Sequence, residues 1–517
     1  MISNEIRLKR FKGSSNRTIS YLYLLSALML VVFCLLKLPS SPLRSGNTWD
    51  DTNAMLRMGQ LWLRGHIPFK DAFEQRGPIM YLFYLIANLV SKTGYIGLFV
   101  IEIVNVLAIQ FFIKKILILY FNNKKDLLTT FGSLIIPLLS MSSFSFKNGG
   151  SPEEFAIVWI LISVYAFQQF LVDHQERHFL MVGVSFAIIF NLKYSLIGPW
   201  LAIVIMTIIC VSNYYLNLKD LIKSIGKILL HGFVGMLIVF IPVILYFLIS
   251  GALASFIHVY FVVNLTAYSK GNLPFFAHLL ESLAMSVRGL VNGHMLIFLL
   301  FSISLIGLKN RRLVSGILLT FMCTGGLGFW SLRPGDYTYH VLIFMMYFTI
   351  VLEMIKVIPE LDFGRDITVI SLVAVTILFV AFSTYNNPAL MLSSFGHTNP
   401  ANIGYKFAKI IKSKKNETSV LYFDQIDFGI ERYLNVPAKN YYFERTNLNI
   451  ASQNDALKHS VEKRKTEYIV VKLRNVNKEI VRNNYKRIGN GYKYKYFLLN
   501  NYKIKLVRIP YVLMQRK

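Results

Sequence analysis

Long apolar runs recur along this chain at roughly 20–40, 96–113, 127–144, 155–172, 179–192, 196–212, 229–249, 291–308, 313–330, 338–356 and 367–384. Each is about the length a bilayer core demands once the shortest extend into their flanks. Few folds are open to such a chain. Lipid offers no partner to backbone N–H and C=O groups, so only segments that satisfy them internally can cross. The pattern predicts a mainly α protein, a bundle of about eleven transmembrane helices.

Positive charge orients the bundle. Arg7, Lys9, Arg10, Lys12 and Arg17 precede the first run, and Lys114–Lys115 with Lys124–Lys125, the stretch 219–227 and the stretch 309–312 each follow an even number of crossings. These segments read as cytoplasmic, with the N-terminus inside a bacterial plasma membrane and the segment from 385 to 517 outside. The first run lacks a small-residue cleavage site and reads as an anchor. One step decides this topology: the apolar stretch 78–93 is short for a span, and counting it as a crossing would invert every later loop. It is therefore read as a re-entrant or interfacial helix on the outer face.

Once the spans are oriented, the polar residues that look chemical fall on that outer face: Asp50, Asp51, Gln75, Arg76, Glu153, Glu154, Lys193 and the stretch Arg333 to His340. Chemistry on one side suggests an enzyme more than a channel. A transporter would carry ionisable groups near mid-membrane and often internal repeats, and the centres of these runs are almost free of charge. The net charge of +28, about half of it beyond residue 385, suits anionic headgroups or an anionic wall polymer, although Lys-rich composition with a solvated surface explains it equally. A basic segment outside the cytoplasm makes nucleic acid an improbable partner. Cys34, Cys210 and Cys323 have no CxxC spacing, hence no disulfide framework and no thiolate metal site.

The first outer loop, 41–95, is the most informative. After Trp49-Asp50-Asp51, the polar residues Asn53, Arg57, Gln60 and Arg64 repeat at i, i+4, i+7 and i+11, which predicts an amphipathic helix lying on the membrane surface and stopped at Gly65. The acidic pair has two readings that can coexist. Asp caps helices and suits the dipole, and a carboxylate at the bilayer surface can also serve as general base for a hydroxyl acceptor or as ligand to a divalent cation such as Mg2+ or Mn2+.

Trp49-Asp50-Asp51, Gly65-His-Ile-Pro and Gln75-Arg76-Gly77-Pro78 before an apolar helix resemble the first outer loop of the GT-C glycosyltransferases related to protein O-mannosyltransferases and the lipid A aminoarabinose transferase. Here the acidic pair is Asp-Asp where that family commonly has Asp-Glu, and Arg76 stands where it usually has lysine. Asn148-Gly-Gly-Ser-Pro-Glu153-Glu154, Asn191-Leu-Lys193-Tyr and Arg333-Pro-Gly-Asp-Tyr337-Thr-Tyr339-His340 resemble three further motifs of the family, in order. The resemblance implies a transferase in residues 1–384 that takes a sugar from a polyprenyl-phosphate donor among membrane lipids. It would pass that sugar to an extracytoplasmic glycan, lipid or protein acceptor. Asp50 or Asp51 would activate the acceptor, and Arg76, Lys193, Arg333 and His340 would face the donor phosphate. Glu153 and Glu154 would position the base, bind metal or meet the acceptor, with Tyr337 and Tyr339 as further candidates. Plainer roles stand beside these: first-turn acids for the two glutamates, a snorkelling residue for Lys193, an interfacial hydrogen bond for His340. A polymerase or ligase using lipid-linked glycan, or a flippase for lipid-linked sugars, would share the carrier.

From 385 the composition turns Asn-, Lys- and Tyr-rich. Strand-like runs at 419–423, 468–472 and 503–509, with helical stretches at 401–413 and 476–486, predict a small α/β domain that binds acceptor, shields the site or acts as a structural cap.

Overall fold

The computed structural model describes residues 17–44, 46–47, 49–121, 126–146, 149–214, 217–267, 274–292, 311–329, 338–347, 402–414, 418–446, 448, 450–498 and 504–517. These residues form a mainly helical structure with one small sheet. The helices run α1 (Arg17–Lys37), α2 (Asp50–Leu63), α3 (Pro78–Val90), α4 (Ile96–Phe121), α5 (Asp126–Ser142), α6 (Pro152–Asp173), α7 (Phe179–Leu192), α8 (Gly198–Tyr214) and α9 (Leu218–Ile249). Next come α10 (Leu253–Ala267), α11 (Phe275–Asn292), α12 (Arg311–Gly328) and a 3-10 segment, Thr338–Tyr347.

Five of the described helical stretches are long and apolar enough to cross a membrane: Ser20–Lys37, Ile96–Leu119, Pro152–Asp173, Tyr194–Ser212 and Leu218–Ile249. The expectation of about eleven spans is thus met only in part. α5 has 17 residues with Pro137 inside it, and α7 has 14. Of the remaining runs, 367–384 lies outside the described residues, as do almost all of 291–308 and half of 338–356. α3 has 13 residues, about 20 Å at the helical rise and short of a bilayer core of about 30 Å. It packs on α2, where Gly59 lets the backbones meet: a Cβ there would lie 2.4 Å from the carbonyl carbon of Tyr84.

The C-terminal part folds as an α/β unit around a four-stranded sheet of order β1-β2-β4-β3, with β1 (Val420–Tyr422), β2 (Tyr468–Lys472), β3 (Tyr485–Leu498) and β4 (Ile504–Arg516). β1 and β2 are parallel, β4 is antiparallel to β2, and β3 and β4 form a hairpin with an irregularity between Arg487 and Gly489. Alternation sorts the side chains onto two faces. Tyr422, Tyr468, Val470, Tyr511 and Leu513 pack with Phe407 and Ile411 of the helix Ile403–Ser413. Leu421, Ile469, Val471, Val512 and Met514 pack with Leu457 and Val461 of Ala451–Glu462. Because both faces are covered, β2 reads as an unbroken apolar run. The helix expected over 476–486 is cut to Glu479–Asn484, since Tyr485 already starts β3, and the strand expected over 503–509 continues to Arg516.

The amphipathic α2 does not turn its polar stripe to water. Asn53, Arg57 and Gln60 are buried against the C-terminal unit. Asn53 accepts from the Tyr95 hydroxyl at 2.7 Å, and Arg57 pairs with Asp427 and Glu431. Arg64 donates to the carbonyl of Asn435 at 3.0 Å. Burial would lower the Arg57 pKa, but the two carboxylates outweigh it and hold the guanidinium above its ordinary range. An aromatic core completes the junction, with Phe69, Phe73 and Tyr81 of the first loop packed among Phe247, Phe256, Tyr260 and Phe443.

Candidate functional site

The site begins at the first turn of α2. Trp49, not an aspartate, is the N-cap, in an extended conformation, and its N–H donates to Asn47 Oδ1 at 2.9 Å. Asp50 and Asp51 therefore occupy the first turn, successive on a helix of 3.6 residues per turn, and their side chains diverge. Asp50 pairs with Lys493 of β3 and accepts from Gln425 Nε2 at 2.7 Å. Asp51 pairs with Arg76 at 2.8 Å.

Arg76 is held on several sides. Its guanidinium also engages Glu74, and its backbone N–H lies 3.0 Å from Glu74 Oε2 and 2.9 Å from the Tyr81 hydroxyl oxygen. The Tyr81 hydroxyl donates to Glu74. The next residue, Gly77, fixes the turn against the end of α7: its N–H donates to the Leu192 carbonyl at 3.0 Å, and a Cβ would fall 1.9 Å from the Asn191 oxygen. That docking brings Arg76 near Lys193, the residue that ends α7.

Lys193 Nζ lies 2.7 Å from Glu153 Oε1 and 3.3 Å from His340 Nδ1, and the same Glu153 oxygen is 2.9 Å from that ring nitrogen. Glu153 and His340 are buried, while the Lys193 side chain keeps 25% of its surface exposed. Burial pushes the Lys193 ammonium below its ordinary range and Glu153 pulls it back up; Arg76 adds to the push and Asp51 opposes it. Asp51–Arg76 and Glu153–Lys193–His340 are thus joined through the contact of Gly77 with the end of α7.

Glu154 turns elsewhere. It accepts from the Gly150 N–H at 2.6 Å, and its own N–H donates to the Ser151 N-cap at 3.1 Å, so the first-turn role and the ion-pair role divide between two neighbours. Near it lies Glu102 of α4, fully buried and bonded to Ser40, a carboxyl that the apolar run around it hides from sequence inspection. Nothing in the sequence marks Gln425 or Lys493 either. Glu74 carried a weak signal, two residues before Arg76. Arg333 and Tyr337 lie outside the described residues, as does the Tyr339 side chain.

Among the described residues no group of three or more His, Cys, Asp or Glu side chains could hold a metal ion. Asp50, Asp51 and Glu153 are each turned onto a cation, so this donor set does not fit a resident divalent ion. It does fit a carboxylate base beside cations that can face a phosphate.

No family model matches the chain, and no curated protein matches it in sequence. Among solved structures it is similar to the oligosaccharyltransferase AglB from Archaeoglobus fulgidus, in complex with an inhibitory peptide and a dolichol-phosphate. That likeness has 10% identity, covers 94% of this chain and 74% of that one, and has a TM-score of 0.39.

Proposed function

We propose that this chain is a multi-pass membrane glycosyltransferase of the GT-C kind, moving a sugar from a polyprenyl-phosphate donor to an extracytoplasmic acceptor. The observation that carries this reading is the pairing of Asp51 with Arg76 and of Glu153 with Lys193 and His340, two groups from segments far apart in the chain that are joined where Gly77 docks on the end of α7. The acceptor oxygen attacks the anomeric carbon and its proton passes to Asp51. The bond from that carbon to the phosphate oxygen breaks, and the polyprenyl phosphate leaves with the bonding pair. Arg76 and Lys193 stabilise the charge that develops there, the guanidinium fork being suited to two phosphate oxygens at once. Glu153 holds Lys193 in place. Arg333, in the motif that contains His340, is proposed as a further cation for the donor.

Mass analysis of envelope glycans, lipids and proteins from cells with and without this protein tests the reading: one sugar modification should disappear. Arg76→Ala and Lys193→Ala should each weaken use of the lipid-linked donor, at a cost of about 1.5–3 kcal/mol for a charge-assisted hydrogen bond, and Arg76→Lys should recover only part. Turnover of a water-soluble nucleotide sugar by the purified protein, with no polyprenyl phosphate present, would rule the mechanism out.

A further inference from the structure

The two aspartates are treated unequally by the fold, and the C-terminal unit makes the difference. Asp50 is only 8% exposed and is held by two side chains from that unit, Lys493 and Gln425. Both holders are themselves fixed. Gln425 Oε1 accepts from the Tyr511 hydroxyl at 2.6 Å, and the Lys493 ammonium lies 5.2 Å from the centre of the Phe428 ring, with its residue 9% exposed. Gly491, two residues before Lys493, packs so closely on Ile403 and Phe407 that a Cβ would come within 2.8 Å of the former, which ties β3 to the unit's own core. On the other side, α2 is locked to the same unit by Arg57 with Asp427 and Glu431, nearly two helical turns further on.

We infer that Lys493 and Gln425 are positioning residues of the active site. They clamp Asp50 and so fix the first turn of α2 in the rotation that turns Asp51 to Arg76 and Lys193. The C-terminal unit thereby supplies two positioning residues from the far end of the chain. This rests on the transferase reading above, since Asp51 is the group whose orientation is set. The physical reason is that a first turn lacks intrahelical acceptors for its N–H groups and is the loosest part of a helix, so an external anchor decides its rotation. A small misplacement of a reacting group costs up to about a hundredfold in rate.

Isolated membranes carrying their own donor and acceptor, and the purified full chain, provide the test. Transfer is read as incorporation of the sugar found missing from cells without the protein, normalised to folded protein. Lys493→Met and Asp50→Asn should each lower transfer by about tenfold or more. The double variant should fall no further than the worse single one, and Lys493→Arg should regain most of the activity. Arg432→Gln is the control. Arg432 docks the unit through Asn88 and Gly94 and not through Asp50, and its loss should lower the melting temperature with little effect on transfer per folded molecule. Losses that multiply in the double variant, or an Arg432→Gln variant that loses as much transfer as Lys493→Met, would overturn the inference. A melting-temperature cycle on the same variants needs no substrate. Additive effects of Lys493→Met and Asp50→Asn there would remove the clamp itself, whereas coupled melting with no sugar modification missing would count against the transferase reading and against the positioning role with it.

Discussion

Asp51 and Asp50 are chemically identical neighbours with different surroundings, and that difference sets their predicted behaviour. Asp51→Asn should leave insertion and folding intact and lower transfer by roughly a hundredfold or more, the usual size of a lost general base, with wild-type melting behaviour as the control. Full activity in that variant would return Asp51 to a dipole-complementing role. A second residue makes a pH prediction. Glu444 is buried and accepts from the Asp427 N–H at 2.8 Å; burial pushes its carboxyl well above the ordinary range, and the nearby Asp427 charge adds to the push. A carboxyl whose folded pKa is raised binds its proton more tightly in the folded state. Stability therefore falls as pH rises above the unfolded value of about 4.3, until the folded pKa is passed. Glu444→Gln should raise the melting temperature near pH 7 and have little effect near pH 4. An equal effect at both pH values would contradict it.

At the scale of elements, the junction of α2 and α3 decides whether the acidic turn meets Arg76. Gly59 is a point of close backbone approach, and no side chain fits there without moving backbone. Gly59→Leu should separate the two helices, destabilise the protein by about 1–3 kcal/mol or more, and reduce transfer together with the amount of folded protein. Melting and proteolysis of the purified variant measure this. The same principle makes Arg57 structural: removing one member of a buried charge group leaves the others uncompensated, at about 3–5 kcal/mol. Its partners Asp427 and Glu431 are both buried. α2 is thus tied to the C-terminal unit by charge and to α3 by backbone contact.

For the whole molecule, the docking of the C-terminal unit on the first loop puts both on the same side of the membrane, and the positive-inside pattern predicts that this is the outer side. Single cysteines in a chain lacking its natural ones check this at positions that are exposed: His66, Lys463 and Lys219. An impermeant thiol reagent should label the first two in intact cells and the third only after the membrane is opened. Labelling of the Lys219 position from outside would invert the orientation and move the site with it.

Several features of this protein were legible in its sequence because they are local. Apolar length marks α1, α4, α6, α8 and α9; Pro152 after Ser151 marks the start of α6; short apolar runs rich in β-branched and aromatic residues mark β1 and β2. Short motifs mark Asp51, Arg76, Glu153, Lys193 and His340, and the structure pairs Asp51 with Arg76 and Glu153 with Lys193 and His340. What the sequence left open depends on distance along the chain. The polar stripe of α2 has the same period whether water or protein covers it, so only the tertiary structure turned it onto Asp427 and Glu431. The Tyr- and Lys-rich stretch after 485 became a strand because β4 pairs with it. Lys493 reaches Asp50 across 443 residues. No periodicity encodes such a pairing; it arises where two parts of the chain dock and their buried charges must find partners.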